Sequence, residues 1–337
     1  MAIKNAYLDI RYALPGNNAA TINPELAHLK AIGYNTVTLG AQVSVNLQTG
    51  AASDGKPLPP DFWSIVDYAH SIGLKVLIKS TIDVGFNADG SSNGADPKFN
   101  MYTPLPSGIT AGQIFKNAAE YEQKLAAQAQ AHKAEGFIIG SDNYGFDMGA
   151  NAQTYFKPIV DAVRSVYSGQ IGYAANYNNS VFPMVDLLDY SINPYLGPGT
   201  SVAQIEAAWY SSGNAQKLKE MVSMYGGKPV IAHNFDEAQP GVGQMILPNG
   251  AMSNTWYMFF NDPAKLNSLE ANYSEQLMAY QAFANVAKAA GVAGAGFGEY
   301  DPWAVSAGPQ YKQWTKLGGD LWDNPNEAAI AGTLAVL

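Results

Sequence analysis

Short apolar runs alternate with helical segments along most of the chain, and each run ends in polar residues. The runs lie at 6–12, 36–39, 75–78, 137–139, 172–175, 190–193, 228–232 and 292–297. A strand followed by a helix and another strand needs a crossover, which makes neighbouring strands parallel. Apolar residues along the whole length of a strand mean that both of its faces are covered. Eight such units predict an α/β fold closed into a (β/α)8 barrel, a TIM barrel of one domain; an open doubly wound sheet is the runner-up.

The punctuation between the runs agrees. Asn23-Pro24 reads as a cap and first helical position, with Gly33 closing that helix. A second helix, over about 60–72, stops at Gly73. Thr110 and Gln113 have capping-box spacing ahead of a long Ala-rich helix. Further helices are expected at 152–167, 202–224 and 275–290, with a short one near 182–187. Two long irregular excursions, 85–109 and 240–272, interrupt the pattern after the third and seventh strands. Both connect a strand to a helix, so a barrel would place them at its C-terminal face. The barrel is assigned to 1–320, and 321–337 reads as a C-terminal extension or linker.

Composition removes whole classes of function. With 47% hydrophobic and 14% charged residues, the 337-residue chain can bury a large core. Its net charge is −9 and it has no basic run, which argues against nucleic acid. No apolar stretch reaches the length of a membrane span. There is no cysteine, hence no disulfide, thiol chemistry or Cys-ligated metal. Three of the four histidines fall on or beside helices and only His233 at a strand end, so neither a metal nor another cofactor is expected. The 20 tyrosines and many asparagines suit a carbohydrate partner, whose apolar faces stack on rings and whose hydroxyls bond to amides.

The stretch 136–147, GFIIGSDNYGFD, combines these themes. A buried strand runs into Ser141, Asp142 and Asn143, at the end where barrels place their chemistry. Asp142 and Asp147 would equally serve as loop or helix caps. Carboxylates recur after other strands: Asp9, Asp83, Asp236, Glu299 and Asp301. Asn143, Asn176, Asn234, Tyr195, Tyr300 and Trp303 accompany them. Paired carboxylates in an amide-rich, aromatic cleft are what glycoside hydrolysis requires: one protonates the leaving oxygen, the other attacks or activates water. The glycine-rich run 291–296 lies on the last strand with no helix opening behind it, which does not fit a dinucleotide loop.

Several motifs together resemble the clan A glycoside hydrolases, most closely the family 113 β-mannanases. They are KVLIKSTID (75–83), GYAANY (172–177), INPY (192–195), KPVI (228–231), Tyr280-Gln281-Ala282 and Asp301-Pro302-Trp303. The resemblance runs from about residue 3 to residue 315. It implies a barrel acting on a polysaccharide or oligosaccharide outside the cell or at its surface. It places the acid/base at the fourth strand, where the family has Gly-Thr-Glu and this chain has Gly140-Ser141-Asp142. It places a nucleophilic glutamate after the seventh strand, where this chain has His233-Asn234. Tyr195 matches the tyrosine that holds that nucleophile.

The catalytic set is therefore Asp142 as acid, with a raised pKa, and Glu299, Asp236 or Glu237 as base in an inverting reaction. The sugar-binding set is Asp9, Lys79, Asp83, Asn143, Asn176, Tyr195, His233, Asn234, Tyr300, Asp301, Trp303 and Trp256, with Tyr257 beside the last as a second ring platform. The alternative is a non-catalytic carbohydrate-binding or structural barrel of a larger secreted or surface protein.

Overall fold

A computed structural model describes residues 2–10, 17–53, 58–84, 98–194, 196–197, 199–234, 263–268, 270–300, 321 and 324–337, leaving out the side chains of Ser53, Asn234, Pro263, Lys265, Leu266 and Glu299. The strands are β1 (Ile3–Leu8), β2 (Thr36–Val45), β3 (Ala52–Ser53), β4 (Lys75–Asp83), β5 (Gly136–Ser141), β6 (Gln170–Ala175), β7 (Leu187–Ser191), β8 (Val230–Asn234) and β9 (Gly294–Tyr300). They form one sheet in the order β1-β9-β8-β7-β6-β5-β4-β2-β3, and β1 also pairs with β2. That pairing closes eight parallel strands into a (β/α)8 barrel; β3 is a two-residue antiparallel addition to the end of β2. The helices are α1 (Ala19–Ile32), α2 (Phe62–Ser71), α3 (Ala111–Ala131), α4 (Gly149–Arg164), α5 (Val202–Ser211), α6 (Asn214–Met224), α7 (Pro263–Ser268), α8 (Tyr273–Ala290) and α9 (Glu327–Thr333). No helix among the described residues is long and apolar enough to cross a membrane.

The contacts group into two compact units, one of residues 1–9, 25–36 and 191–337, the other of 10–24 and 37–190. In the second unit the core is continuous. Val76, Ile78, Phe137, Ile138, Ile139, Ile171 and Tyr173 are buried on the strands, and Ile114, Ala118, Phe156 and Ile159 on the helices that cover them. Burying each large side chain is worth about 1.5–3 kcal/mol relative to exposing it. In the first unit β9 runs between β1 and β8, and its glycines explain how. A Cβ on Gly294 would collide with the backbone of Ile3, one on Gly296 with His233, and one on Gly298 with Tyr7. Of the glycine-rich run 291–296, residues 294–296 are therefore close-approach strand, while Gly291 closes α8 at φ 77°.

The sequence expectations for element boundaries fail in instructive places. The first strand is residues 3–8, starting three residues before the expected 6–12, of which 11 and 12 lie outside the described residues. Helix α1 begins at Ala19, so Asn23-Pro24 is not its start. Asn18 is the cap, its side chain accepting from the Thr21 backbone N–H at 3.2 Å, while Asp61 accepts from the Ala19 N–H at 2.6 Å. With the first turn satisfied that way, Pro24 is carried inside the helix. The sixth barrel strand is 187–191 rather than 190–193. The helix expected over 202–224 is two helices, because Gly213 adopts φ 77° between them. Thr110 does cap α3, accepting from the Gln113 N–H. The C-terminal residues form α9, which buries Ile330 and Ala331, while Asn324 donates to the Gln276 side chain at 3.0 Å.

Candidate active site

Strand β5 is buried along its whole length, and the ladder to β6 continues one residue beyond it, where the Asp142 N–H donates to the Ala174 carbonyl at 3.1 Å. At Asp142 the chain turns sharply. Its φ is +50°, in the left-handed region that aspartate tolerates better than most residues. The turn leaves the carboxylate 20% exposed, with donors gathered around it. Lys98 Nζ lies 2.6 Å from Oδ2, Ser141 Oγ 3.2 Å from the same oxygen, and the Asn176 backbone N–H 3.0 Å from Oδ1.

Burial acts to raise the Asp142 pKa, but Lys98 as charge and as donor, the Lys79 charge and the Asn176 N–H together outweigh it and hold the carboxyl below its ordinary range. This corrects the expectation of a raised pKa. Asp142 is a carboxylate at neutral pH, because the Lys98 ammonium lies against it.

Five residues on, Asp147 is fully buried and meets the opposite conditions. Its Oδ2 accepts from Tyr173 at 2.9 Å and from Tyr177 at 2.6 Å. Its Oδ1 has no hydrogen-bond partner among the described residues. Burial raises its pKa, the two tyrosine hydroxyls oppose that rise, and the nearby Asp142 charge adds to it. Asp147 is a structural carboxyl that ties the loop after β5 to β6 and the loop beyond it.

The other residues expected at the site divide into groups. Lys79 is mostly buried and paired with Asp189 of β7 at 3.1 Å; Asp189 is fully buried. The Lys79 charge also acts to lower the Asp142 pKa. Asp83, at the end of β4, is buried and accepts from Thr81 at 3.3 Å. Asp9 follows β1, buried, with its N–H donating to the Tyr300 carbonyl at 3.0 Å. His233 Nε2 stands 2.8 Å from the Asn5 amide nitrogen, which can only donate, so that ring nitrogen is an acceptor. Asn176 is exposed and touches Asp142 through its backbone.

Two expectations are overturned. Asn143 is fully buried, its amide donating to the Phe99 carbonyl at 2.8 Å and its N–H to the Tyr173 hydroxyl, so it holds the loop and cannot reach a sugar. Tyr300 is fully buried against Tyr34, with hydroxyls 3.2 Å apart and rings at 87°, so it too is closed to substrate. Glu299 and Asn234 lie on β9 and β8, but their side chains are outside the described residues, as are Tyr195, Asp236, Glu237, Trp256, Tyr257, Asp301 and Trp303 altogether.

Sequence reasoning missed Lys98 and Asp189. Lys98 sits inside the irregular excursion 85–109, which gives no periodic signal. Asp189 did leave one, as a lone acid inside the apolar run LLDYS.

Asp9, Asp83 and Asp142 thus stand at the carboxyl ends of β1, β4 and β5, the end of the strands where barrels carry their chemistry. The fold alone is shared by many activities, and the sequence narrows it. The model of Glycoside Hydrolase Family 113 matches residues 25–232, and the chain belongs to that family. No curated protein sequence matches the chain. Solved structures that resemble it include a family 113 β-1,4-mannanase, at 16% identity and a TM-score of 0.70 over 99% of both chains. Another is the family 113 β-mannanase AaManA from Alicyclobacillus acidocaldarius, in complex with ManMIm, at 17% identity and 0.66 over 99% of this chain and 97% of that one. The exo-β-1,4-mannosidase Op5Man5 from Opitutaceae bacterium strain TAV5 follows at 13% identity and 0.63, over 100% of this chain and 59% of its own. At these identities the structural likeness establishes the fold, and the family match makes the chain a glycoside hydrolase.

Proposed function

We propose that the chain hydrolyses β-linked bonds of a mannan-type polysaccharide or oligosaccharide, using Asp142 as the ionised member of a carboxyl pair. The observation that carries this reading is the part-exposed Asp142 carboxylate, held charged by Lys98 at the end of a buried barrel strand. A carboxylate in that state is a base. It takes a proton from water as the water oxygen bonds to the anomeric carbon; the bond to the leaving sugar breaks, and a second carboxyl protonates the departing oxygen. Glu299, Asp236 and Glu237 are the candidates for that second carboxyl. The role order is the reverse of the one the family pattern implies, and the charge on Asp142 supports the reversal.

The sequence resemblance puts Asn234 where the family has its nucleophile, and an amide there supports direct attack by water, and hence inversion, because it cannot form the covalent intermediate of a retaining enzyme. A polymeric substrate also supports work outside the cell or at its surface. The test is release of reducing ends from mannan, glucomannan, xylan and cellulose, with NMR of the first-formed anomer. Release of the inverted anomer is expected. A retained anomer would move the nucleophile elsewhere, and no cleavage of any glycan would favour the carbohydrate-binding alternative that Asn234 also motivates.

A further inference from the structure

Exposed apolar side chains are not scattered evenly over the described surface. Of the six large ones, Met101, Tyr102, Tyr144 and Met148 lie on two neighbouring segments, and only Tyr210 and Met224 lie elsewhere. Those two segments, 98–103 and 142–148, are the ones that build the surroundings of Asp142. They are joined at three successive points. Lys98 pairs with Asp142, the Phe99 carbonyl accepts from Asn143, and the Met101 N–H donates to the Tyr144 carbonyl at 3.0 Å. Met101 also lies over Gly145, whose φ of +85° and lack of a Cβ make room for it. Phe99 anchors the strap from below, stacked on Phe146 with centroids 4.8 Å apart.

On this braced strap Tyr102 is 74% exposed and Tyr144 42% exposed. Their rings are nearly parallel, 18° apart, with centroids separated by 6.0 Å. Tyr144 is in turn fixed edge-on by Tyr177, at 86° and 5.5 Å. A ring inserted between two others needs about 7–8 Å, two carbon contacts of roughly 3.5–4 Å. No sugar fits between Tyr102 and Tyr144, so a ligand would lie on their outward side. An exposed, rigidly backed aromatic pair of this kind has little to gain from folding and much from a ligand with an apolar face.

We propose that Tyr102 and Tyr144 form an aromatic platform that binds one sugar ring of the polysaccharide next to the bond that Asp142 attends. This rests on the glycosidase reading of Asp142 and assigns the same site a subsite that the sequence placed elsewhere, on Trp256 and Tyr257. The ligand chemistry is a pyranose unit of a β-linked chain, whose axial C–H groups present an apolar face to the rings. The platform adds affinity for the chain and leaves the bond-breaking step alone.

The experiment measures kcat and KM on mannan and glucomannan for wild type, Tyr102→Ala and Tyr102→Trp, with affinity electrophoresis in gels containing the same polysaccharides. Tyr102 is chosen because its exposure makes Ala harmless to folding, which circular dichroism and Tm would verify. Expected is a rise in KM of about tenfold for Tyr102→Ala, with kcat held within about twofold, a matching loss of gel retardation, and recovery in Tyr102→Trp. If wild type cleaves and Tyr102→Ala matches it in KM and retardation, the platform is refuted while the glycosidase reading stands. If kcat falls and KM does not, Tyr102 acts on the reacting centre and the platform is likewise refuted. If wild type neither cleaves nor is retarded by any of the polysaccharides, both readings fall together.

Discussion

Asp142 and Asp147 stand five residues apart on one loop, share the neighbouring strand β6 as a source of contacts, and end in opposite states. Asp142 keeps a fifth of its side chain exposed and is met by an ammonium, a hydroxyl and a backbone N–H. Asp147 is closed off from solvent and is met by two tyrosine hydroxyls on one oxygen only. Burial raises both pKa values; a full cation reverses that at Asp142, and neutral donors only reduce it at Asp147. The comparison separates two uses of a loop carboxyl: one charged and reachable, suited to chemistry, the other shielded and load-carrying. It also shows why a sequence cannot rank them, because the deciding cation, Lys98, is 44 residues away.

The largest effect expected is on turnover. Asp142→Asn removes the charge and keeps the shape, so kcat on a cleaved polysaccharide should fall about 10²–10⁴-fold while affinity for it changes little. Full activity in this variant would mean that the reachable carboxylate is not the working one. Asp147→Ala should leave kcat per folded molecule near wild type but cost about 2–4 kcal/mol in denaturant unfolding, because two tyrosine hydroxyls lose their shared acceptor. Its pH dependence has a definite sign. The folded pKa of Asp147 is raised, so the stability it contributes is complete below the unfolded value of about 3.9 and is lost as pH rises through the folded one. The stability gap between wild type and Asp147→Ala should therefore narrow as pH is raised from about 4. A gap that widened would mean that Asp147 is ionised in the folded protein well below its ordinary range.

Tyr177→Phe is a gentler version of the same cut. It keeps the ring that packs edge-on against Tyr144 and removes one of two donors to Asp147. A loss of about 0.5–1.5 kcal/mol is expected, measured by chemical unfolding at neutral pH. A loss as large as that of Asp147→Ala would show that Tyr177 alone carries the contact and that Tyr173 is incidental.

The barrel was legible because its signal is repeated: eight apolar runs with polar ends tolerate boundary errors of several residues without changing the fold. The position of Asp142 at a strand end was legible for the same reason, since it stands where a buried run stops. Its charge state was not, since pKa depends on neighbours that only the closed chain brings near. Asn143 and Tyr300 misled because a polar or aromatic residue beside a strand end can turn toward a loop or a helix as readily as toward a cleft. Alternation along a strand settles that only when the strand's last residue is known, and strand ends were the least certain feature. The first helix shows the same weakness: Asn23-Pro24 had the right residue types for a start, but Asn18 and Asp61 had already satisfied the first turn.

The smallest expected effect is also the most discriminating. Lys98→Met keeps the length and apolar stem of Lys98 and removes only the ammonium. The pair is partly exposed, with Lys98 at 42%, so solvent screens it and the change in kcat/KM at pH 7 should not exceed about fivefold, the range of a surface ion pair worth up to about 1 kcal/mol. The informative quantity is where activity is lost as pH is varied. Without Lys98 the Asp142 pKa rises, since the charge and the donor that lower it most are gone. If Asp142 works ionised, as a base, its protonation switches the enzyme off, and the acid limb of the kcat/KM profile should move to higher pH while the alkaline limb stays. If Asp142 instead works protonated, as an acid, the same variant should move the alkaline limb upward and leave the acid limb in place. A profile displaced on neither side would mean that Asp142 is not the group whose ionisation limits turnover, and that the cation beside it serves only to fasten the strap 98–103 to the loop after β5.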